Sequence, residues 1–225
     1  MTDANNLDLT LIDGKRESLT FDYAIVATGS SPAMPEIFDI NDARIMDSTS
    51  ALDLREIPQS MLIVGGGIIG MELGQVYAAL GSSVSVVEMM PGLIPPADRD
   101  LVKPLEDHLK SQFENIWTDT KVTGISATEE VISVEFEAPN SHTFTQTFSS
   151  ILVSVGRYPN SSDIGIENTD IELDDRGFIK VDAQMRTSES SIFAIGDVIG
   201  AGLAHTSSHQ GAIVAEILSG HEKLV

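Results

Sequence analysis

Gly65, Gly67 and Gly70, within the string G-G-G-I-I-G, have the spacing G-x-G-x-x-G. The chemistry of that spacing is the cradling of a pyrophosphate by backbone. The first glycine permits a tight turn, the second lets backbone approach the phosphates, and the third lets a helix lie close on a strand. Glu88 stands about twenty positions further on, where a carboxylate accepts hydrogen bonds from an adenosine ribose. A carboxylate there repels a 2′-phosphate, and the next residues, Met89 and Met90, supply no arginine to welcome one. The pattern therefore favours NAD over NADP.

Glycine spacing alone is weak evidence, because a loop can match it by chance. The flanking elements make it strong. Met61 to Val64 form a short apolar run that stops at Gly65, as a buried parallel strand entering a tight turn does. After Gly70, the residues Leu73, Val76, Tyr77 and Leu80 recur at helical spacing, and Gly81 stands where the helix needs a left-handed C-terminal residue. Val84, Val86 and Val87 then give a second strand that closes on Glu88. The helix N-terminus between these strands offers unpaired N–H groups and partial positive charge to a pyrophosphate.

The 225 residues, 42% of them hydrophobic, suffice for one large or two small folded domains. Thirteen basic residues stand against 34 acidic ones, a formal charge of −21, and the surplus is spread along the chain. Such a surface repels phosphate backbones and anionic membranes, so neither nucleic acid nor a membrane is expected as a partner. No apolar run is long enough to span a bilayer, and Met1 to Thr20 carry no signal-peptide pattern. A cytoplasmic location is the expectation. The chain has no cysteine, hence no disulfide framework and no thiolate metal site. His205 and His209 are four apart and could share a helical face as metal ligands. No HExxH pattern accompanies them, so solvated or structural histidines are expected. No G-x-S-x-G elbow is present for nucleophilic catalysis.

In chain order, residues 1–57 read as a weak hairpin with Leu7, Leu9 and Leu11 on one face and a turn at Asp13-Gly14, then a strand at 23–27, then a proline-marked crossing connection. Residues 58–159 read as the nucleotide domain. A helix capped by Asp98 carries Leu101, Leu105, Leu109 and Phe113 on one face, with Pro104 set to kink it or delay its start. A third parallel strand falls at Ile116 to Trp117. Segments 122–125, 131–136 and 144–148 alternate as an antiparallel meander, and a last buried strand covers 151–155. Residues 160–225 hold strands at 178–181 and 192–195. A helix follows from His205 to Leu218, with Ala212 and Ala215 for close packing and Gly220 to end it. The fold class is α/β, a Rossmann-like domain with parallel sheet and antiparallel meander between two flanking segments.

Four motifs fall in one order: A-T-G-S from Ala27, G-G-G-I-I-G-M-E from Gly65, S-V-G-R-Y-P-N from Ser154, and I-F-A-I-G-D from Ile192, with L-A-H at Leu203. This ordered set resembles the flavin-dependent pyridine nucleotide-disulfide oxidoreductases. The strings V-V-E-M, D-D-R-G-F-I and H-Q-G-A-I-V-A-E resemble its dihydrolipoamide dehydrogenase branch. The resemblance implies an NAD domain flanked by returning parts of an FAD domain. It also implies that Gly65, Gly66, Gly67, Ile68, Ile69 and Gly70 wrap the NAD pyrophosphate, while Glu88 holds the ribose. Val122 would lie beside the adenine, Gly156 and Arg157 would border the nicotinamide, and Glu72 would sit near the flavin–nicotinamide contact. Asp197 would bond the ribityl chain of FAD, with Ala204 and His205 near its ring. Without the resemblance, Asp197 reads as a turn residue after a buried strand.

The family also carries an FAD-binding G-x-G-x-x-G, a C-x₄-C pair and a His-Glu pair in an interface domain, none of which stands in these 225 residues. The chain accordingly reads as a middle fragment, unable alone to perform the disulfide half-reaction. Its parent is expected to be a homodimer serving 2-oxoacid dehydrogenase complexes. The competing reading is a self-sufficient NAD-binding or NAD-sensing module. Within the enzyme class, an NADH-dependent flavoprotein oxidase or a glutathione-type reductase is the alternative, the NADP-using members being disfavoured by Glu88.

Overall fold

Two compact units are present in the computed structural model, which describes residues 1–220. One is built from Met1–Ser31 together with the chain from Arg157 onward, the other from Pro32–Gly156. The first opens with a hairpin of β1 (Asn6–Thr10) and β2 (Arg16–Thr20) around the Asp13-Gly14 turn. Then come β3 (Ala24–Val26) and β4 (Ser30–Pro32), at whose last residue the second unit begins.

The second unit owes its sheet to short runs of buried aliphatic residues. Its elements are β5 (Ile45–Met46), α1 (Ser48–Leu52), β6 (Ser60–Val64), α2 (Ile68–Ala79), β7 (Ser83–Val87), α3 (Arg99–Leu109) and β8 (Asn115–Trp117), then β9 (Lys121–Ala127), β10 (Ile132–Ala138), β11 (His142–Phe148) and β12 (Ser150–Val153). Five strands pair in parallel in the order β5-β12-β6-β7-β8. Alternation along β6 divides the core in two, as a period of two side chains requires. Met61 and Ile63 pack with Met71 and Tyr77 of α2, Leu109 of α3 and Phe113. Leu62 and Val64 pack on the other face with Ile132, Val134, Phe136 and Phe148 of the antiparallel meander β11-β10-β9.

The chain then completes the first unit with β13 (Arg157–Pro159), paired to β4, and β14 (Ile192–Ala194), parallel to β3 with Phe193 opposite Ile25. A 3-10 turn at Gly196–Ile199 leads to α4 (Ala204–Leu218), whose Ile213 and Val214 pack on Phe193. Val26, Ile166, Ile171, Ile179, Ile192 and Val198 form this unit's other core.

Several expectations change. Residues 32–57, expected as a connection with a boundary near Ile57, belong to the sheet unit, because Ile45 and Met46 pair with β12. On α2, Val76 and Leu80 are exposed, and the buried face is Met71, Leu73, Gly74 and Tyr77. The reason is that the helix rests on its glycines. A Cβ at Gly74 would lie 2.6 Å from Ile63 and 2.8 Å from Phe113, so the contact face turns toward the glycine stripe. On α3, Leu101 is exposed and Val102 takes the buried place, while the helix runs through Pro104. Asp98 is its N-cap residue without a side-chain cap bond. On α4, Ala212 and Ala215 face outward, and the strand expected at 178–181 is reduced to a bridge between Ile179 and Leu173.

Candidate functional site

The glycine turn grows out of the end of β6. Gly65 has φ +103, a region that favours glycine, and its N–H donates to Val87 O at 2.9 Å. A Cβ on Gly65 would lie 2.5 Å from Ser154 O, and one on Gly70 would lie 2.4 Å from Gly65 O and 2.6 Å from Ser154 Oγ. Those two glycines are fixed by contact with the neighbouring strand end. Gly67 is fixed by nothing protein-made, since no atom would lie within 4 Å of its Cβ. It caps α2 without any side-chain hydrogen bond. The first-turn N–H groups have no intrahelical acceptor and carry the positive end of the helix dipole.

Open space at Gly67 belongs to a cavity of about 680 Å³ lined by Gly65, Gly67, Glu88, Val122 and Gly156 of the expected site residues. A cavity of this volume is of ligand size. Pro35, Ile37 and Phe38 complete one wall, and Met89, Met90, Thr120, Ser154 and Val155 others. Of these, Ile37, Phe38 and Thr120 carry no motif in the sequence, whereas Met89 and Met90 follow Glu88 directly. The signal for the first group was the apolar pair Ile37-Phe38 just after Pro35, in a segment read as a connection. No lysine or arginine is among the lining residues, and Arg99 donates to the carbonyls of Ile94 and Ala97. Ile68 is half exposed on the first turn of α2, Ile69 packs at the edge of the core, and Glu72 is exposed one turn on.

Glu88, 9% exposed, closes β7. Its Oε2 accepts the Gly66 N–H at 2.6 Å and its Oε1 accepts the Met90 N–H at 2.7 Å. Gly66 itself is buried, and a Cβ there would meet Leu93 at 2.6 Å and the Glu88 side chain at 3.1 Å.

In the other unit the remaining motifs converge. Thr28 and Asn160 exchange two hydrogen bonds, from Thr28 Oγ1 to Asn160 O at 2.7 Å and from Asn160 Nδ2 to Thr28 O at 2.9 Å. Ser30 Oγ donates to Asp197 Oδ2 at 2.7 Å and accepts from Arg157 Nε at 2.7 Å. Arg157 Nε is 3.8 Å from Asp197 Oδ2, and Nη2 donates to Ser30 O at 2.6 Å. Arg157 is thus held to Ser30 and Asp197 within this unit. Gln210 Oε1 accepts the Gly196 N–H at 2.8 Å, tying α4 to the turn that carries Asp197. Ala204 and His205 open α4 and are exposed, as is His209. A-T-G-S, G-R-Y-P-N and I-G-D are therefore parts of one hydrogen-bonded cluster.

A parallel sheet with a glycine turn before α2, an acidic residue closing the next strand, and the three further motifs gathered elsewhere define one class of protein. Residues 2–211 match the pyridine nucleotide-disulphide oxidoreductase family, and the chain belongs to it. Over 213 residues it is 46% identical to the dihydrolipoyl dehydrogenase of Vibrio parahaemolyticus, covering 93% of this chain and 45% of that relative. The dihydrolipoyl dehydrogenase of Vibrio cholerae is 44% identical over 220 residues, covering 97% of this chain and 46% of that relative. Among solved structures, the HOCl-induced flavoprotein disulfide reductase RclA from Escherichia coli superposes with a TM-score of 0.85 at 28% identity, over 99% of this chain and 50% of that one. The chain spans about half the length of the curated relatives it matches. Among the described residues, no helix is long and apolar enough to cross a membrane.

Proposed function

We propose that this chain binds NAD(H) as the nucleotide-holding part of a dihydrolipoyl dehydrogenase-like flavoprotein. The observation that carries the reading is the cavity at the end of β6, where unobstructed Gly67 and the Glu88 carboxylate share one wall. Its residues fit the dinucleotide. The first turn of α2 supplies donors for a pyrophosphate, and Glu88 retains lone pairs beyond those given to Gly66 and Met90, since an ionised carboxylate has about four acceptor sites. Val122 supplies an apolar surface for the adenine, and Gly156 borders the nicotinamide end. A buried carboxylate with no basic residue among its cavity neighbours favours NAD over NADP. When bound, NAD supplies a two-electron acceptor, and the chain's own residues bind and orient it.

For FAD, Asp197 is the proposed ribityl ligand. Ser30 and Arg157 hold its carboxylate in place while its side chain stays about 31% exposed. Ala204 and His205 would lie near the flavin ring, and Glu72 toward the flavin–nicotinamide contact. With no cysteine in the sequence, the thiol–disulfide step with dihydrolipoamide is assigned to residues beyond these 225, and this chain alone should not turn that substrate over. Assembly of the whole enzyme as a homodimer, within 2-oxoacid dehydrogenase complexes in the cytoplasm, belongs to the same proposal.

Calorimetric titration with NADH and, in parallel, NADPH tests the nucleotide reading. Clear NADH binding with little NADPH binding is expected. Glu88→Ala should weaken NADH by at least about tenfold, because each hydrogen bond to a charged group is worth about 1.5–3 kcal/mol. Unchanged affinity in that variant, or equal binding of both nucleotides, defeats the proposal.

A further inference from the structure

The middle glycine of G-G-G is not one of the three that the G-x-G-x-x-G spacing explains, and the structure gives it a reason. Gly66 is buried between Leu93 and the Glu88 side chain, so close that a methyl group would collide with Leu93 and press tightly on Glu88. Its peptide is held from both directions. The N–H donates to Glu88 Oε2 at 2.6 Å, and the carbonyl accepts the Ile94 N–H at 2.8 Å. On either side, Gly65 N–H is bound to Val87 O and Gly67 opens α2. Glu88 Oε1 meanwhile takes the Met90 N–H at 2.7 Å, so one carboxylate joins the glycine turn to the chain leaving β7. Both bonds are short, and the one from Gly66 is buried, where a charge-assisted hydrogen bond is strongest.

We infer that Glu88 is a positioning residue for the phosphate loop as well as a ribose ligand: it clamps the Gly66 peptide so that Gly67 and the first-turn N–H groups of α2 face the pyrophosphate. The inference rests on the nucleotide reading above and extends it. It also bears on specificity. Exchanging Glu88 to admit a 2′-phosphate removes the clamp, so nucleotide preference and loop geometry are coupled through one side chain. A change of preference then needs a second donor-binding group for Gly66.

Glutamine at 88 keeps the length of the side chain but presents an NH₂ donor to one of the two backbone donors, which breaks one arm of the clamp. The discriminating ligand is an NADH analogue lacking the 2′ and 3′ hydroxyls of the adenosine ribose, compared with NADH on the wild-type chain and on Glu88→Gln. If Glu88 acts through the ribose alone, the variant and the wild type bind the dideoxy analogue equally. If the clamp operates, the variant loses at least about tenfold in affinity for the analogue as well, an effect equivalent to about 1.4 kcal/mol.

Equal affinities overturn the inference and leave the nucleotide reading standing. Failure of the wild-type chain to bind NADH overturns the nucleotide reading itself. A measurement without a variant covers the case in which Glu88→Gln does not fold. Amide hydrogen exchange on the unliganded wild-type chain should show Gly66 and Met90 protected by at least about tenfold over free-peptide rates, and unprotected amides at both positions refute the clamp.

Discussion

Replacing Gly67 by alanine adds one methyl group at a place where no protein atom lies within 4 Å. The backbone there, φ −75 and ψ 179, suits alanine, and reduced freedom in the unfolded chain favours the variant by about 0.4–1 kcal/mol. Alanine is a poorer N-cap than glycine by a margin of about the same size, and the two effects offset. Stability should change by less than about 1 kcal/mol, or roughly 2–4 °C in Tm for a chain of this size. Binding responds differently. The methyl takes the space through which a pyrophosphate must reach the first-turn N–H groups of α2. Losing two charge-assisted bonds at about 1.5 kcal/mol each amounts to about 3 kcal/mol, roughly a hundredfold in Kd. Titration calorimetry with NADH, paired with scanning calorimetry, separates the two effects. A folded Gly67→Ala variant that binds NADH like the wild type refutes the placement of the phosphates. A large fall in Tm refutes the reading of Gly67 as sterically free.

Gly70→Ala should behave in the opposite way. Its Cβ would lie 2.4 Å from the Gly65 carbonyl, and overpacking against backbone costs about 1–3 kcal/mol. Tm should therefore fall by roughly 3–10 °C, and a Tm within a degree of the wild type contradicts the contact. Tyr77, fully buried, donates from its hydroxyl to Ala51 O at 2.7 Å, and burial raises its pKa above the usual tyrosine value. The native state then holds this proton more tightly than the unfolded chain. Its contribution is whole below pH 10 or so and declines as pH climbs through the raised native value. Urea midpoints of wild type and Tyr77→Phe should differ most near neutrality and converge above about pH 10; a constant difference across that range refutes it.

What the sequence made legible follows from period and punctuation. The alternation of 132–148 and the β-branched run at 83–87 decide their own secondary structure, because local side-chain pattern and burial agree there. The faces of α2 and α3 do not follow from hydrophobicity alone. On α2 the glycines at 70 and 74 set the contact, a steric fact invisible to an apolar count. Ile45 and Met46 were missed since a two-residue strand has no period, and only a partner strand from a hundred residues away defines it. The candidate site divides in the same manner. Gly65, Gly67 and Glu88 announce themselves by spacing, whereas Phe38 and Thr120 reach the cavity through tertiary folding. The grouping of Ser30, Arg157 and Asp197 was foreshadowed by the order of the motifs, and its hydrogen bonds were not.

The order of β3 and β14 in the chain has a consequence for how the molecule comes into being. These parallel neighbours, Ala24–Val26 and Ile192–Ala194, bracket the whole of the Pro32–Gly156 unit. During synthesis at about 5–20 residues per second, β3 waits on the order of ten to thirty seconds for its partner. The continuous unit is complete before β14 is made and can fold then, while the divided one still cannot pair its core strands. Loop closure over so long a span is far less costly once the intervening chain has collapsed into a domain than while it is a random coil. The Pro32–Gly156 unit thus serves as a staple that brings distant strands within reach. A lesion that unfolds it would also strand β3 unpaired, an open edge with Ile25 and Tyr23 exposed to association with other chains.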